Sequence, residues 1–131
     1  MPRFMLDTDT VSSALRGQGR VATRVLDHRP SEICMSSITL AELRYGAGMR
    51  RSRKLHGLID AFAEAMAVVP FDRVAADRFG VVAASLARKG APIGGFDTLI
   101  AAHALALRLT LVTNYSKHFD RVAGLRTETW V

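Results

Sequence analysis

Phe4-Met5-Leu6-Asp7-Thr8-Asp9-Thr10-Val11 is the stretch on which the fold turns. A short apolar run from Arg3 to Leu6 reads as a buried strand. It ends directly in an acid, and a segment of helical character follows from Thr8 to Arg16 and stops at Gly17. The same alternation repeats outward from there. A second helix is expected over 20–28, ending before Pro30, then a strand over 32–36 and a helix over 39–47. Leu55, Leu58, Ile59, Phe62 and Met66 recur at helical spacing after the basic stretch 50–53. A strand over 68–71, a helix over 74–89 ending at Gly90, a helix over 96–107 and a strand over 110–113 follow. The tail 127–131 offers an edge strand. Strands separated by helices imply an α/β fold, a mainly parallel sheet with helices on both faces. In such sheets ligands bind beyond the carboxyl ends of the strands, where Asp7 stands.

Three acids sit in apolar surroundings at junctions of this kind. They are Asp7, Glu42 in Ile38-Thr39-Leu40-Ala41-Glu42-Leu43, and Asp97 in Gly94-Gly95-Phe96-Asp97-Thr98-Leu99-Ile100. Each has a local alternative. Thr39 and Glu42 have capping-box spacing, and Asp97, Asp7 or Asp9 can cap the helix that each begins. Acids brought together by the fold repel one another unless a hard cation lies between them.

The chain has 131 residues, 49% of them hydrophobic, and reads as a single domain over 1–131. Its 18 basic residues against 12 acidic ones give a formal net charge of +6. Fifteen of the 18 are Arg, which suits contacts with a polyanion. Cys34 is the single cysteine, which excludes a disulfide framework and a cysteine-based zinc site. The absence of a long apolar run or a signal peptide leads to an expectation of a cytoplasmic protein with no membrane partner.

The sequence resembles the PIN-domain ribonucleases, specifically the VapC toxins of bacterial type II toxin–antitoxin pairs. The matching words are Phe4-Met5-Leu6-Asp7-Thr8-Asp9, Ser36-Ser37-Ile38-Thr39-Leu40-Ala41-Glu42-Leu43-Arg44-Tyr45-Gly46 and Ile93-Gly94-Gly95-Phe96-Asp97. Further matches are Ile100-Ala101-Ala102-His103-Ala104-Leu105, Leu111-Val112-Thr113-Asn114, Phe119-Asp120-Arg121-Val122-Ala123-Gly124-Leu125 and Glu128-Thr129-Trp130. The resemblance implies a PIN-like α/β sandwich with Asp7, Glu42 and Asp97 around Mg²⁺ or Mn²⁺. It also implies RNA hydrolysis, an inhibiting antitoxin and a homodimer. Asp7 and Asp97 would be direct ligands, and Glu42 a ligand or the group that orients the attacking water. The chain departs from the family pattern at Tyr115, where an acid or amide is common. Asn114, Thr113, Asp120 or Asp9 is then left to complete the metal surroundings.

Arg50, Arg51, Arg53 and Lys54 are candidates for contact with RNA phosphates or the antitoxin. His118 is a candidate phosphate contact, whereas His103 points away from Asp97 and reads as a core residue. Tyr45, Phe62 and Phe79 read as core or dimer contacts. Two competing readings stand beside the nuclease. One is a haloacid-dehalogenase-type phosphatase, with Asp7 and Asp9 as its acids and Lys89 as its lysine. The other is a non-catalytic RNA- or partner-binding module with a degenerate site.

Overall fold

The computed structural model describes residues 2–130. Five parallel strands form one sheet in the order β3-β2-β1-β4-β5: β1 Phe4–Leu6, β2 Ile33–Ser36, β3 Ala67–Val69, β4 Thr110–Val112 and β5 Thr127–Glu128. Seven helices accompany them: α1 Thr8–Leu15, α2 Val21–Leu26, α3 Ser37–Met49, α4 Arg53–Ala65, α5 Arg73–Arg88, α6 Gly95–Leu107 and α7 Ser116–Phe119.

Period-two alternation distributes the strand residues between two cores. Phe4, Leu6, Ile33, Met35 and Val112 lie in a cluster with Val11, Val21, Leu43, Ile59 and Trp130, from α1 to α4 and the C-terminal segment. Met5, Cys34 and Leu111 lie in the other, with Val82, Leu86, Ile100, Phe119 and Val122, beneath α5, α6 and α7. The sheet is thus covered on both faces, which explains why β1 is apolar at every position. Cys34 is fully buried, and burial pushes its thiol up to about 11, so it packs as a small apolar group.

The strand order fixes where a site forms. From β1 the chain steps outward through β2 to β3, then returns to lay β4 against the other side of β1. The switch point therefore lies between β1 and β4. There the Asp7 amide donates to the Val112 carbonyl at 3.0 Å, and the Thr10 hydroxyl donates to the same oxygen at 3.0 Å. Asp7, at the end of β1, and Thr113, at the end of β4, meet at the carboxyl edge of the sheet.

Several local expectations are corrected. α3 begins two residues earlier than Thr39, because Ser36 caps it by accepting from the Ile38 amide at 3.0 Å. Glu42 therefore belongs to no capping box. β3 ends at Val69 rather than Phe71, since Pro70 has no amide to offer the ladder. The four-residue α7 and a 3₁₀ turn over Pro30–Glu32 are too short to leave a periodic signal. The edge strand at the tail is present but short, and Val131 lies outside the described residues. Tyr45 is 71% exposed and joins neither core, whereas Phe62 and Phe79 pack against them.

Candidate active site

Asp7 is the N-cap of α1. Its Oδ1 accepts from the Thr10 amide at 2.8 Å, and the nearby hydroxyls of Thr113 and Thr10 lower its proton affinity. A carboxylate needs only a fraction of this support to cap a helix, yet it is 2% exposed. Burial outweighs the hydrogen bonds, and the Asp7 carboxyl is pushed up to about 6. Capping and a perturbed carboxyl are both properties of this one residue.

Glu42 projects from α3 and is half-buried. The Thr8 hydroxyl donates to its Oε1 at 2.7 Å, with the Thr39 hydroxyl oxygen 3.3 Å from that of Thr8. Its proton affinity is raised, chiefly by burial and further by the negative charges of Asp97 and Asp9. Asp97 lies in the first turn of α6. Gly94 at φ 98° supplies the backbone turn that a side-chain-bearing residue adopts only under strain. Asp97 does not cap this helix; its Oδ2 lies 3.0 Å from His118 Nε2, which is also 2.7 Å from the Ile93 carbonyl. Both neighbours are acceptors, so Nε2 carries the proton and donates to both. Burial raises the Asp97 carboxyl, His118 lowers it, and Asp9 raises it again.

The exposed Asp9 raises the proton affinity of Asp7, Glu42 and Asp97 alike, and Asp97 raises that of Glu42, so the expected acids neighbour one another around Asp9. Asp9, Asp97, Tyr115 and His118 line one small hollow. Asn114 follows β4, and its Oδ1 is buried with no hydrogen-bond partner. Asp120 is an exposed residue at the end of α7 and lines neither this hollow nor the larger groove beside it. Arg50 lines a cleft with Thr8, Arg16 and Glu42, while Arg51, Arg53 and Lys54 are exposed at the α3–α4 turn. His103 is buried and pairs with Ser36 Oγ at 2.8 Å, a core role. Burial lowers its proton affinity, partly offset by Asp72.

Do these residues suit a divalent cation? The donors are carboxylate and amide oxygens, the hard set that Mg²⁺ and Mn²⁺ take. Burial is the main cause that raises the proton affinity of all three acids, with Asp9 adding to it, and the buried Asn114 Oδ1 has no partner, a set compatible with a cation. Among the described residues, however, no three His, Cys, Asp or Glu side chains are close enough to enclose an ion directly. Mg²⁺ tolerates this, since it binds through one or two carboxylates and keeps several waters. The donor set fits.

Thr8 has no role in the sequence beyond starting a helix, yet it holds Glu42 across 34 positions of chain. His118, the candidate phosphate contact, stands against Asp97. The signal for Thr8 lay in its place beside Asp7, at a strand-to-helix junction facing the site.

Thr8 also yields a graded expectation. Thr8→Val keeps the side-chain shape but removes the donor, and a hydrogen bond to a charged group contributes about 1.5–3 kcal/mol. The RNA cleavage that the resemblance implies, measured under single-turnover conditions, is expected to fall roughly tenfold or more in the variant, with Thr8→Ser close to the parent. Equal rates for Thr8→Val and the parent would show that Glu42 needs no such support.

The PIN domain family pattern matches residues 4–125. The tRNA(fMet)-specific endonuclease VapC of Salmonella typhimurium is 38% identical to this chain, over 99% of each. The protein of the same name from Shigella flexneri is 37% identical, again over 99% of each. Among solved structures, DNA-bound VapBC from Salmonella typhimurium superposes with a TM-score of 0.90 at 36% identity, covering 100% of both chains. VapBC2 from Rickettsia felis, bound to a promoter DNA fragment, gives 0.88 at 32% identity over 98% of both. This agreement removes the phosphatase alternative, whose lysine, Lys89, is the exposed residue that ends α5. Fold, sequence and full-length coverage agree: the chain belongs to the PIN domain family, in the branch of the VapC ribonucleases.

Proposed function

We propose that this chain is a Mg²⁺- or Mn²⁺-dependent endoribonuclease toxin of the cytoplasm that hydrolyses RNA phosphodiester bonds and is inhibited by a cognate antitoxin. The observation that carries the reading is the convergence of Asp7, Glu42 and Asp97, all with raised proton affinity, at the carboxyl edge of a parallel sheet. Negative charges that disfavour one another are relieved by a cation between them as well as by a proton.

Asp7 and Asp97 would hold the cation, with Glu42 either a further ligand or the group that orients the attacking water. Asn114 Oδ1, buried and unpartnered, is the residue of choice to complete the set, and Asp9 the second. When bound, the cation acidifies a coordinated water and stabilises charge on the phosphate as the bond breaks. The protein's own part is to keep Asp7 dry beneath α1, to fix Glu42 through Thr8 and to fix Asp97 through His118. With a net charge of +6, the remaining surface favours a polyanion. Arg50, Arg51, Arg53 and Lys54 are exposed for that purpose near the Glu42 cleft.

The antitoxin partner is supported by the VapBC assemblies among the similar structures. The reading includes a homodimer, for which Val74 and Val81, exposed one above the other on α5, supply apolar surface. No helix among the described residues is long and apolar enough to cross a membrane.

Transfer RNA is the first substrate to try, given the names of the relatives at 37% and 38% identity. The expected result is site-specific cleavage of initiator tRNA in Mg²⁺ and none after chelation with EDTA, the products resolved on a denaturing gel. Undiminished cleavage in EDTA overturns the metal-dependent reading. RNA bound but never cut, in either condition, favours a non-catalytic binding module.

A further inference from the structure

Beside the small hollow lies a groove of about 490 Å³ along α7, lined by Asn114, Tyr115, Ser116, Lys117, His118 and Arg121. That volume lies within the range of about 300–1,000 Å³ usual for small-molecule pockets. The two spaces share Tyr115 and His118. Tyr115 is thus the rim between an acidic hollow and a basic groove. The residue is 55% exposed, so core packing does not account for it.

The Tyr115 backbone is nevertheless tied down. Its amide donates to Thr113 Oγ1 at 3.0 Å, and Thr113 lies close enough to Asp7 to lower its proton affinity. One buried threonine therefore holds the Tyr115 backbone beside the most buried acid of the site. Arg121 is anchored by donating to the Pro92 carbonyl at 3.3 Å, while the Lys117 ammonium is exposed.

We propose that Tyr115 is a stacking platform for one unpaired base of the RNA, adjacent to the phosphate at the acids, and that Lys117 and Arg121 meet the next phosphate along. The inference rests on the endoribonuclease reading and assigns to this chain's own Tyr115, Lys117 and Arg121 the contacts that flank the acids. A base inside a duplex has no free face to offer, whereas any unpaired base does. The residue that breaks the family pattern is then a substrate contact rather than a sign of degeneration.

The test compares Tyr115→Ala, Tyr115→Phe and Tyr115→Trp in two assays. One is the KM for cleavage of a hairpin RNA in Mg²⁺. The other is the anisotropy of a short fluorescein-labelled single-stranded RNA, with Asp97→Asn added to every protein to prevent turnover. Loss of base–aromatic stacking is expected to raise KM and Kd about five- to a hundredfold in Tyr115→Ala. The kcat should change less than about threefold, and Phe and Trp should restore binding, since stacking needs a ring and not a hydroxyl. The double variant Lys117→Ala, Arg121→Ala should flatten the dependence of log Kd on log salt by about 1.4, two single-strand phosphate contacts.

Unchanged KM and Kd in Tyr115→Ala, or a Phe variant as weak as Ala, would overturn the platform while the nuclease stands. An unchanged salt slope in the double variant would overturn the phosphate contacts. A parent that cuts no RNA but binds it through Tyr115 would sink the nuclease and keep the platform.

Discussion

Asp97→Asn is expected to cleave RNA at least about 1,000-fold more slowly than the parent in Mg²⁺, yet to unfold at the same temperature or a higher one. The rate falls because Asn offers no negative charge where the cation would be held. Metal-centred charge stabilisation is worth several kcal/mol, and about 4 kcal/mol corresponds to a factor of 10³. The fold is spared because this carboxylate is under tension in the metal-free protein. Burial and the nearby charge of Asp9 both raise its proton affinity, and it raises that of Glu42 in turn. A neutral isostere removes that repulsion, while its amide oxygen still accepts from His118 Nε2. Single-turnover cleavage and thermal melting in EDTA decide the matter together. Cleavage at the parent rate would remove Asp97 from the site. A fall in Tm of more than about 8 °C would make it a structural residue instead.

Why was so much of this legible in the chain alone? The fold rests on local patterns that sheet geometry leaves little freedom to break. An uninterrupted Phe4-Met5-Leu6 run buried on both faces, followed at once by Asp7, says parallel strand and carboxyl-edge acid. Order in the sheet then places Asp7 beside whatever follows β4. Legibility ends where a residue has two local options and tertiary contact chooses. Thr39 and Glu42 have capping-box spacing, but Ser36 and Ser37 are equally good caps three and two residues earlier, and Ser36 wins. Glu42, released from the cap, turns to Thr8 on another helix. The His118–Asp97 pair spans 21 positions and depends on a four-residue helix that no periodicity announces. Tyr115 is a departure from a pattern when read in one dimension, and an exposed ring at the mouth of the site when read in three.

In EDTA, the Asp7 carboxyl is expected to make the protein more stable as pH falls from about 7.5 towards 4, the opposite of ordinary acid unfolding. Its proton affinity in the folded chain is raised from 3.8 to about 6. Between those values the folded state holds a proton that the unfolded state has released, so acidification favours folding. The contribution is fully present below about 3.8 and is lost as pH rises through about 6. Its size is about 3 kcal/mol, each tenfold in proton affinity being worth about 1.4 kcal/mol. Glu42 and Asp97 move in the same direction and broaden the window, while Glu32, whose proton affinity is lowered, moves against it from an exposed position. The difference between the parent and Asp7→Asn isolates the contribution of this carboxyl. Asn carries no charge to desolvate, so the variant should melt above the parent at pH 7.5 in EDTA, and the gap should close by about pH 4. Adding Mg²⁺ at pH 7.5 should raise the parent, because a cation bound only by the folded state stabilises it by mass action. It should leave Asp7→Asn unmoved, and should do little for the parent at pH 5, where a proton occupies the carboxylate. Parallel pH curves for the two proteins would mean that Asp7 is already relieved of its burial cost in the metal-free chain, and that it is a helix cap and nothing more.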